Sequence, residues 1–393
     1  MRKMIGLMAL AMPVLSMVAS CDNVDEYVAP KPYTIDWSAA ADSSTTALVS
    51  YFWNADNGFF NSKSNQADGK GWNYWPQAHA MDVVIDAYLR TGNAEYSAMF
   101  DKWYEGIKLQ NDGGNTNGYT NDYYDDEAWI ALTMVRLYNV TSDSKYLDVA
   151  KSLYNDIASG WNDQYQGGGI AWRKSQPWSK NACINGPASL LAFKLHDATG
   201  EDSYAEFGVK IHEWVRENLL NPGTGEVFDN INGETGEIAG WNFTYNQGTV
   251  MAAALEAYHY TGNELYLKDA RRAASFTITS SKFLDSSINT IMRENGTKPG
   301  SDDAALFRAV FFRYFCDFVE SGDFDEAWHK KFAACFNSSA DYLWRHGVVD
   351  KRWILFSGDW QNGVEPNGTA SLNPQVSACA LIELRARLAS KGI

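Results

Sequence analysis

The sequence predicts an all-α fold, an (α/α)6 barrel of about twelve helices, on three observations. A connector with a Thr or Ser, a polar pair and, in the clear copies, a Tyr five residues after the Thr recurs along the chain. The copies begin at Thr91, Thr141, Thr199, Thr261 and, more weakly, Ser321. Each connector separates two stretches with helical apolar periodicity, which is typical of tightly turned helical hairpins. Strand signals are confined to short patches near residues 226–228 and 353–356.

Taken in order, the apolar-periodic stretches indicate twelve helices joined by alternating short and long connections. We expect them at residues 38–55, 77–91, 93–108, 125–140, 142–158, 182–199, 201–218, 246–261, 263–280, 302–321, 324–345 and 374–390. A closed barrel fits this alternation, and an open solenoid is the structural alternative.

Successive antiparallel helices place all short turns at one end of such a barrel and all long connections at the other. The long connections are residues 56–76, 109–124, 159–181, 219–245, 281–301 and 346–373. Because long loops on a rigid scaffold commonly carry binding residues, the functional site is expected at their end.

The N-terminus predicts export. Arg2 and Lys3 precede an apolar run from Met4 to Val18, so residues 1–20 are expected to be a signal peptide. Val18-Ala19-Ser20-Cys21 resembles a lipobox, which implies a lipid on Cys21; a plain signal peptide with an incidental cysteine is the alternative. After Cys21 the sequence has no apolar run of the roughly 20 residues that a spanning helix needs.

Residues 21–35 are predicted to be an acidic, proline-containing tether, and residues 36–393 a single domain. The acidic residues after Cys21 resemble a tag that sends some bacterial lipoproteins to the cell surface. We therefore expect an outer-membrane lipoprotein, at the surface or on the periplasmic face, that contacts the membrane only through its lipid.

Composition narrows the class of partner. The formal net charge is -15, which argues against nucleic acid because its recognition needs basic patches. The chain also holds 15 Trp and 21 Tyr, whose rings either stack on sugars or form core.

Asp125 and Asp126 form the most informative pair. They lie between a polar loop and the apolar helix predicted at 125–140. Cleavage of a glycosidic bond needs one carboxylic acid and one carboxylate, and a separation of about 5–5.5 Å would fit a retaining mechanism. The alternative is simple capping of the helix.

Tryptophans concentrate in the long loops, at positions 72, 75, 161, 172, 178, 241, 353 and 360. Together with the aspartate pair they predict a sugar-binding cleft, although each one can also be a lid on the core. From this rim we select Trp72, Tyr124, Trp172 and Trp241 as substrate-binding candidates.

Polar side chains at two further helix starts are candidates for hydrogen bonds to sugar hydroxyls. They are Asn185, Tyr245, Asn246 and Gln247. The alternative is that Asn185 shapes its helix and Asn246 caps one. Gly167–Gly169 fits no phosphate loop and is expected to bring backbone close to Trp172 and the substrate.

Four motifs together resemble glycoside hydrolase family 76, in the order found there and over nearly the whole mature domain. They are Asp125–Trp129, Gly167–Trp172, Lys180–Pro187 and Thr244–Gly248. The resemblance implies a retaining endo-α-1,6-mannanase acting on α-mannan, with Asp125 as nucleophile and Asp126 as acid/base. Where the family has Phe-Lys-Gly, this chain has Phe307-Arg308-Ala309, so Arg308 is a substrate-binding candidate of altered geometry.

The roles require opposite protonation states. Asp125 must be ionised, which a helix N-terminus favours, and Asp126 must hold a proton, which its neighbour's charge and partial burial favour. Asp302-Asp303 is interpreted as a cap, with calcium or substrate contact as the alternative.

No metal or cofactor is expected, and the protein is expected to be a monomer. Pairing among Cys183, Cys316, Cys335 and Cys379 stays open between disulfides and free thiols. Two other functions also stay open: a different (α/α)6 carbohydrate-active enzyme, such as a lyase, and a non-catalytic glycan-binding lipoprotein.

Overall fold

The computed structural model describes residues 33–69, 71, 73–111, 118–294, 302–361 and 369–393. The predicted signal peptide, Cys21 and Trp72 lie outside these residues. Asp36–Ile393 forms one unit, to which every element below belongs.

The helices of this unit follow the predicted order. They are α1 (Trp37–Phe52), α2 (Tyr74–Thr91), α3 (Ala94–Ser97), α4 (Phe100–Gly106), α5 (Tyr124–Thr141), α6 (Ser144–Ser159), α7 (Ala182–Thr199), α8 (Asp202–Asn218), α9 (Thr244–Thr261), α10 (Glu264–Thr277), α11 (Asp302–Ser321), α12 (Glu326–Tyr342) and α13 (Leu372–Ser390). The helix predicted at 93–108 is in fact α3, α4 and a 3-10 turn over Ile107–Gln110, and a π turn over Leu343–Gly347 follows α12.

Six helices form a closed inner ring. Around the ring, α2 contacts α5, and the contacts continue through α7, α9 and α11 to α13, which packs back against α2. The outer helices α1, α6, α8 and α10 pack against this ring. The predicted (α/α)6 barrel is therefore confirmed, and the contact between α13 and α2 excludes an open solenoid.

Burial differs between the two layers as their sequences require. On the inner helix α2 every residue from Pro76 to Ile85 is buried, whereas on the outer helix α10 buried and solvent-facing positions alternate with helical spacing. A helix that is buried all round lies inside a core, and an amphipathic one lies on its surface.

The recurring Thr-to-Tyr connector is a tight turn between two helices, held by local hydrogen bonds. In the second copy, Ser142 has a left-handed φ of 59°, the Thr141 hydroxyl accepts the Asp143 amide at 3.2 Å, and Asp143 caps α6 through the Lys145 amide. The Tyr146 side chain is buried. In the other copies a glycine takes the left-handed position, where it carries no steric cost.

Short strands occur only as two-stranded sheets among the described residues. They are β1 (Trp53–Asn54) with β2 (Phe59–Phe60), β3 (Ser179–Asn181) with β4 (Asn230–Asn232), β5 (Leu284–Asp285) with β6 (Thr290–Ile291), and β7 (Val348–Asp350) with β8 (Leu355–Phe356). The strand patch near 226–228 is reduced to an isolated bridge between Val227 and Leu220.

Two further findings concern the whole described unit. The four cysteines named above are buried free thiols. Among the helices of the described part, none is both long and apolar enough to cross a membrane.

Candidate active site

A cleft of about 680 Å³ lies where the inner helices begin, at the end that carries the long loops. Its walls combine aromatic, carboxylate and amide side chains. They are Trp75, Tyr123, Asp125, Asp126, Trp129, Trp172, Ser179, Asn181, Cys183, Asp229, Asn230, Trp241, Phe243, Tyr245, Asp303 and Phe307.

The inner ring explains why these side chains meet. All six inner helices begin at this end, and in five of them the second residue faces the cleft. These second residues are Trp75, Asp125, Cys183, Tyr245 and Asp303. Trp129 and Phe307 lie four residues further along their helices and therefore line the same face one turn deeper.

Asp125 is held by donors from two other elements. Its Oδ2 accepts hydrogen bonds from Trp172 Nε1 at 2.9 Å and from Cys183 Sγ at 3.3 Å. Its Oδ1 accepts the backbone amide of Asp126 at 3.2 Å. The carboxylate plane is thus fixed before any substrate is bound.

Burial raises the pKa of Asp125 to about 6, against the lowering effect of the Cys183 and Trp172 donors. The prediction that amide donors at a helix start stabilise its charge covers only part of this balance, because desolvation is the larger effect. At neutral pH Asp125 is still mostly ionised. Asp126 faces the same cleft, and its acid/base role stays a prediction.

Aromatic rings form the remaining walls. Tyr245 stacks on Phe307 with centroids 4.0 Å apart and planes within 5°, and Trp172 meets Tyr123 edge to face at 5.1 Å. Trp241 lies at the rim with 59% of its surface exposed. The structure therefore brings the candidates Trp172, Trp241 and Tyr245 into one cleft with the aspartate pair.

Two of the other loop tryptophans serve the scaffold. Trp161 packs against Phe207 with centroids 5.6 Å apart, and Trp360 is buried. Trp353 is exposed and contacts Tyr51, but it is not among the residues that line the cleft.

The prediction that Tyr124 contacts substrate is wrong. Its ring packs so closely on Gly160 that a side chain there would clash, its hydroxyl pairs with Ser159, and Lys174 lies 5.1 Å from the ring centroid. Tyr123 occupies the cleft instead. The first residue of α5 points toward the outer helix α6, and the residue before it points inward.

Asn185 and Gln247 also lie outside the cleft, contrary to prediction. The Asn185 amide exchanges hydrogen bonds with both backbone groups of Ile170, at 2.8 and 3.0 Å. Gln247 accepts the amide of Val227 and donates to the carbonyl of Gly225 at 3.1 Å. Both side chains are fully buried and hold the preceding loop.

Asn246 is likewise buried and reaches the cleft only through another residue. Its amide donates to Asp229 Oδ1 at 2.9 Å, and Asn230 donates to Oδ2 at 2.8 Å. Asp229 itself lines the cleft, and burial raises its pKa. The predicted substrate contact of Asn246 is therefore corrected to support of this third carboxylate.

Arg308 holds a loop rather than a sugar, in contrast to its prediction. Its guanidinium lies 4.1 Å from the centroid of Trp360 and donates to the carbonyl of Gly358. Burial lowers its pKa to about 10. The long connection before α13 is thus tied to α11.

The triple glycine has a different role from the one expected. A Cβ on Gly168 would lie 2.4 Å from Trp161, and one on Gly169 would lie 2.7 Å from Trp214. Both have positive φ. These glycines let the loop cross two tryptophans of the scaffold, not Trp172.

Several lining residues were missed because they come from separate loops. Strands β3 and β4 pair the loops before α7 and α9, and this pairing places Asn181 opposite Asn230. No sequence signal links segments 50 residues apart. Asp303, interpreted as a cap, lines the cleft, and burial raises its pKa. Within the described ranges no group of three acidic, His or Cys residues is placed to hold a metal.

The family model for glycosyl hydrolase family 76 matches residues 36–391. The chain belongs to this family. The resemblance seen in the four sequence motifs is thereby confirmed, and the match covers all of the described barrel helices.

Among curated relatives, this family member is 28% identical over 261 residues to the mannan endo-1,6-alpha-mannosidase DCW1 of Saccharomyces cerevisiae. That match covers 61% of this chain and 56% of the relative. The chain thus spans little more than half the length of the curated protein it matches.

Among solved structures, it is similar to an inactive variant of the alpha-1,6-mannanase GH76A of Salegentibacter sp. HEL1_6, bound to alpha-1,6-mannotetrose. The identity is 31%, the TM-score 0.81, and the match covers 90% of this chain and all of that one. In that variant two adjacent aspartates are replaced by alanine. A Listeria innocua protein, Lin0763, is 29% identical with a TM-score of 0.77.

Proposed function

We propose that this family member is a retaining endo-α-1,6-mannosidase that hydrolyses the backbone of α-mannan. The observation that carries the proposal is the pair of consecutive carboxylates, Asp125 and Asp126, facing one aromatic cleft at the start of α5. The inactive Salegentibacter enzyme, with two adjacent aspartates replaced, supports the assignment.

In the first step, Asp125 attacks the anomeric carbon of a mannosyl unit while the bond to the leaving oxygen breaks. Asp126 gives its proton to that oxygen. In the second step, Asp126 takes a proton from water, the water oxygen attacks the anomeric carbon, and Asp125 is released as carboxylate. Anomeric configuration is retained because the carbon is inverted twice.

The cleft fits a saccharide rather than a compact apolar ligand. Its volume of about 680 Å³ is within the usual range for ligand sites, which is roughly 300–1,000 Å³. Trp172, Tyr245 and Trp241 offer ring faces for sugar C–H surfaces, and Asp229 and Asn230 offer partners for hydroxyls.

The deciding experiment is product analysis on linear α-1,6-mannan. An endo-acting hydrolase releases a ladder of oligosaccharides, and proton NMR at early time points shows the α-anomer as first product. Asp125→Ala and Asp126→Asn are expected to lower kcat by at least about 100-fold while the proteins still bind α-1,6-mannotetraose.

Other outcomes would identify the other candidates. Release of a single small product would mean exo action, and an ultraviolet-absorbing unsaturated product would mean a lyase. Wild-type protein that binds mannan without releasing reducing ends would be a glycan-capture protein.

We further propose that the chain is exported and anchored to the outer membrane by a lipid on Cys21, with residues 21–35 as tether and the barrel at the cell surface. The signal-like run and the small residues before Cys21 support this. Labelled palmitate should enter the wild type but not Cys21→Ala. Digestion by protease added to intact cells would distinguish the surface from the periplasmic face.

A further inference from the structure

Cys183 is a buried thiol that the proposed reaction does not use. It is the second residue of α7, 3% exposed, and it faces the cleft between Asp125 and Tyr245. The other three described cysteines are buried on α11, α12 and α13 and are not among the residues that line the cleft.

The thiol is placed as a hydrogen-bond donor to the proposed nucleophile. Its Sγ lies 3.3 Å from Asp125 Oδ2, the oxygen that also accepts Trp172 Nε1 at 2.9 Å. Burial, together with the charges of Asp125 and Asp229, raises the pKa of the thiol well above its ordinary value. The thiol therefore keeps its proton, and its hydrogen is available to Oδ2.

A third helix continues this contact. The hydroxyl of Tyr245, the second residue of α9, is hydrogen-bonded to Cys183. The titratable groups that line the cleft with Asp125 are Asp126 on its own helix, Cys183 on α7, Tyr245 on α9, Asp303 on α11, and Tyr123 and Asp229 on the loops. The two side chains that donate to Oδ2 are Trp172 and Cys183.

We propose that Cys183 is a positioning residue for Asp125: its S–H and the Trp172 indole hold Oδ2, so that Oδ1 is directed at the anomeric carbon, and they favour the ionised carboxylate. The inference rests on the proposed function, since it assigns Cys183 to the nucleophile of that reaction. Donors to a carboxylate stabilise its charged form, and a thiol is a weaker donor than a hydroxyl.

The test is the pH dependence of kcat and KM on linear α-1,6-mannan for wild type, Cys183→Ala and Cys183→Ser. Loss of the thiol is expected to move the acidic limb of the kcat/KM profile upward by about half a unit to one unit. It should also lower kcat about tenfold with KM changed less than about twofold. Serine, which keeps a donor, is expected to restore both to near wild type.

The matched control is Cys335→Ala, because Cys335 is an equally buried thiol on α12 that the cleft does not include. It should lower Tm through the lost packing and leave the pH profile unchanged. An active wild type whose Cys183→Ala variant keeps the wild-type profile, or whose serine variant shows no rescue, would overturn the positioning role alone. An inactive wild type would instead overturn the proposed function.

Discussion

The inner helices place two sets of polar residues, only two positions apart, in opposite environments. The second residues, such as Asp125 and Tyr245, face the cleft. The fourth residues face away from it and bind the backbone of the preceding long loop; we call these the clamp residues. They are Gln77, Glu127, Asn185, Gln247 and Gln375.

Helix geometry accounts for this division. Two positions correspond to a rotation of about 200°, so a side chain at the second position and one at the fourth point in nearly opposite directions. Gln77 accepts the backbone amide of Phe60 and donates to its carbonyl, both at 2.7 Å. Gln375 accepts the backbone amide of Phe356 and donates to the carbonyl of Ile354, both at 3.1 Å. Whether a polar side chain faces the cleft or clamps a loop therefore depends on its position in the first turn, not on its residue type.

A raised pKa does not distinguish the cleft residues from the clamp residues either. Burial raises the pKa of Asp125 in the cleft to about 6 and that of the clamp residue Glu127 to about 8. Glu127 is fully buried, accepts the Asn121 amide at 2.6 Å and pairs with Lys174 at 2.7 Å. Its shift reflects a structural role, so only the cleft geometry identifies the candidate catalytic carboxylate.

The largest expected effect on stability concerns a clamp. Gln247→Ala leaves the amide of Val227 and the carbonyl of Gly225 without their side-chain partner in a buried site. At about 1–3 kcal/mol for each unsatisfied group, we expect a loss of about 3 kcal/mol in the free energy of unfolding, measured by denaturant titration.

Gln164, which is exposed, provides the control: Gln164→Ala should change stability by less than about 0.5 kcal/mol. If Gln247→Ala folds as stably as wild type but loses mannan binding, then Gln247 belongs with the cleft and the division between second and fourth positions fails.

The sequence predicted the barrel well because its turns repeat. The connector at Thr141, with a left-handed residue and an N-cap, is a local motif that one chain displays several times. The helix starts were less accurate, since α2 and α13 were expected at 77 and 374 rather than at Tyr74 and Leu372. Pro76 and Pro374 are compatible with a first helical turn, so the helices begin before them.

A late predicted start of α9 also explains why Gln247 was misassigned. With α9 beginning at Thr244, Tyr245 is a second residue and Gln247 a fourth, but a start at 246 hides that difference. Asn185 was selected as a candidate sugar ligand although its helix was expected at 182, where it begins, because an amide near a cleft and an amide that clamps a loop look alike in sequence. Asp229 could not be found, since only the pairing of β3 with β4 brings its loop to the cleft.

The second prediction concerns how much the ionised carboxylate of Asp125 lowers the free energy of unfolding. The pKa of Asp125 is about 6 in the folded protein, against an ordinary value of 3.8. Between these two pH values the folded state keeps a proton that the unfolded state has released, so stability falls as pH rises through this window. Above pH 6 the cost is constant, at roughly 2–3 kcal/mol.

Asp125→Asn should therefore be more stable than wild type at pH 7–8 by up to about 2 kcal/mol, and the gain should vanish below about pH 4. Chemical unfolding across pH measures it, with the exposed Asp148→Asn as the control that should show no such gain. A gain that persists at pH 4 would mean that the amide improves packing and that the charge of Asp125 is not the cause.

The smallest expected effect is a difference in KM between variants of two exposed tryptophans on long loops. Trp241, 59% exposed, lines the cleft, whereas Trp353, 48% exposed, packs against Tyr51 and is not among its lining residues. Trp241→Ala should raise KM for mannan about fivefold, which corresponds to about 1 kcal/mol, with kcat little changed. Trp353→Ala should leave both constants within about twofold of wild type. An equal rise of KM in both variants would mean that the sugar chain extends past the loop before α13, and the boundary between cleft and scaffold would then have to include that loop.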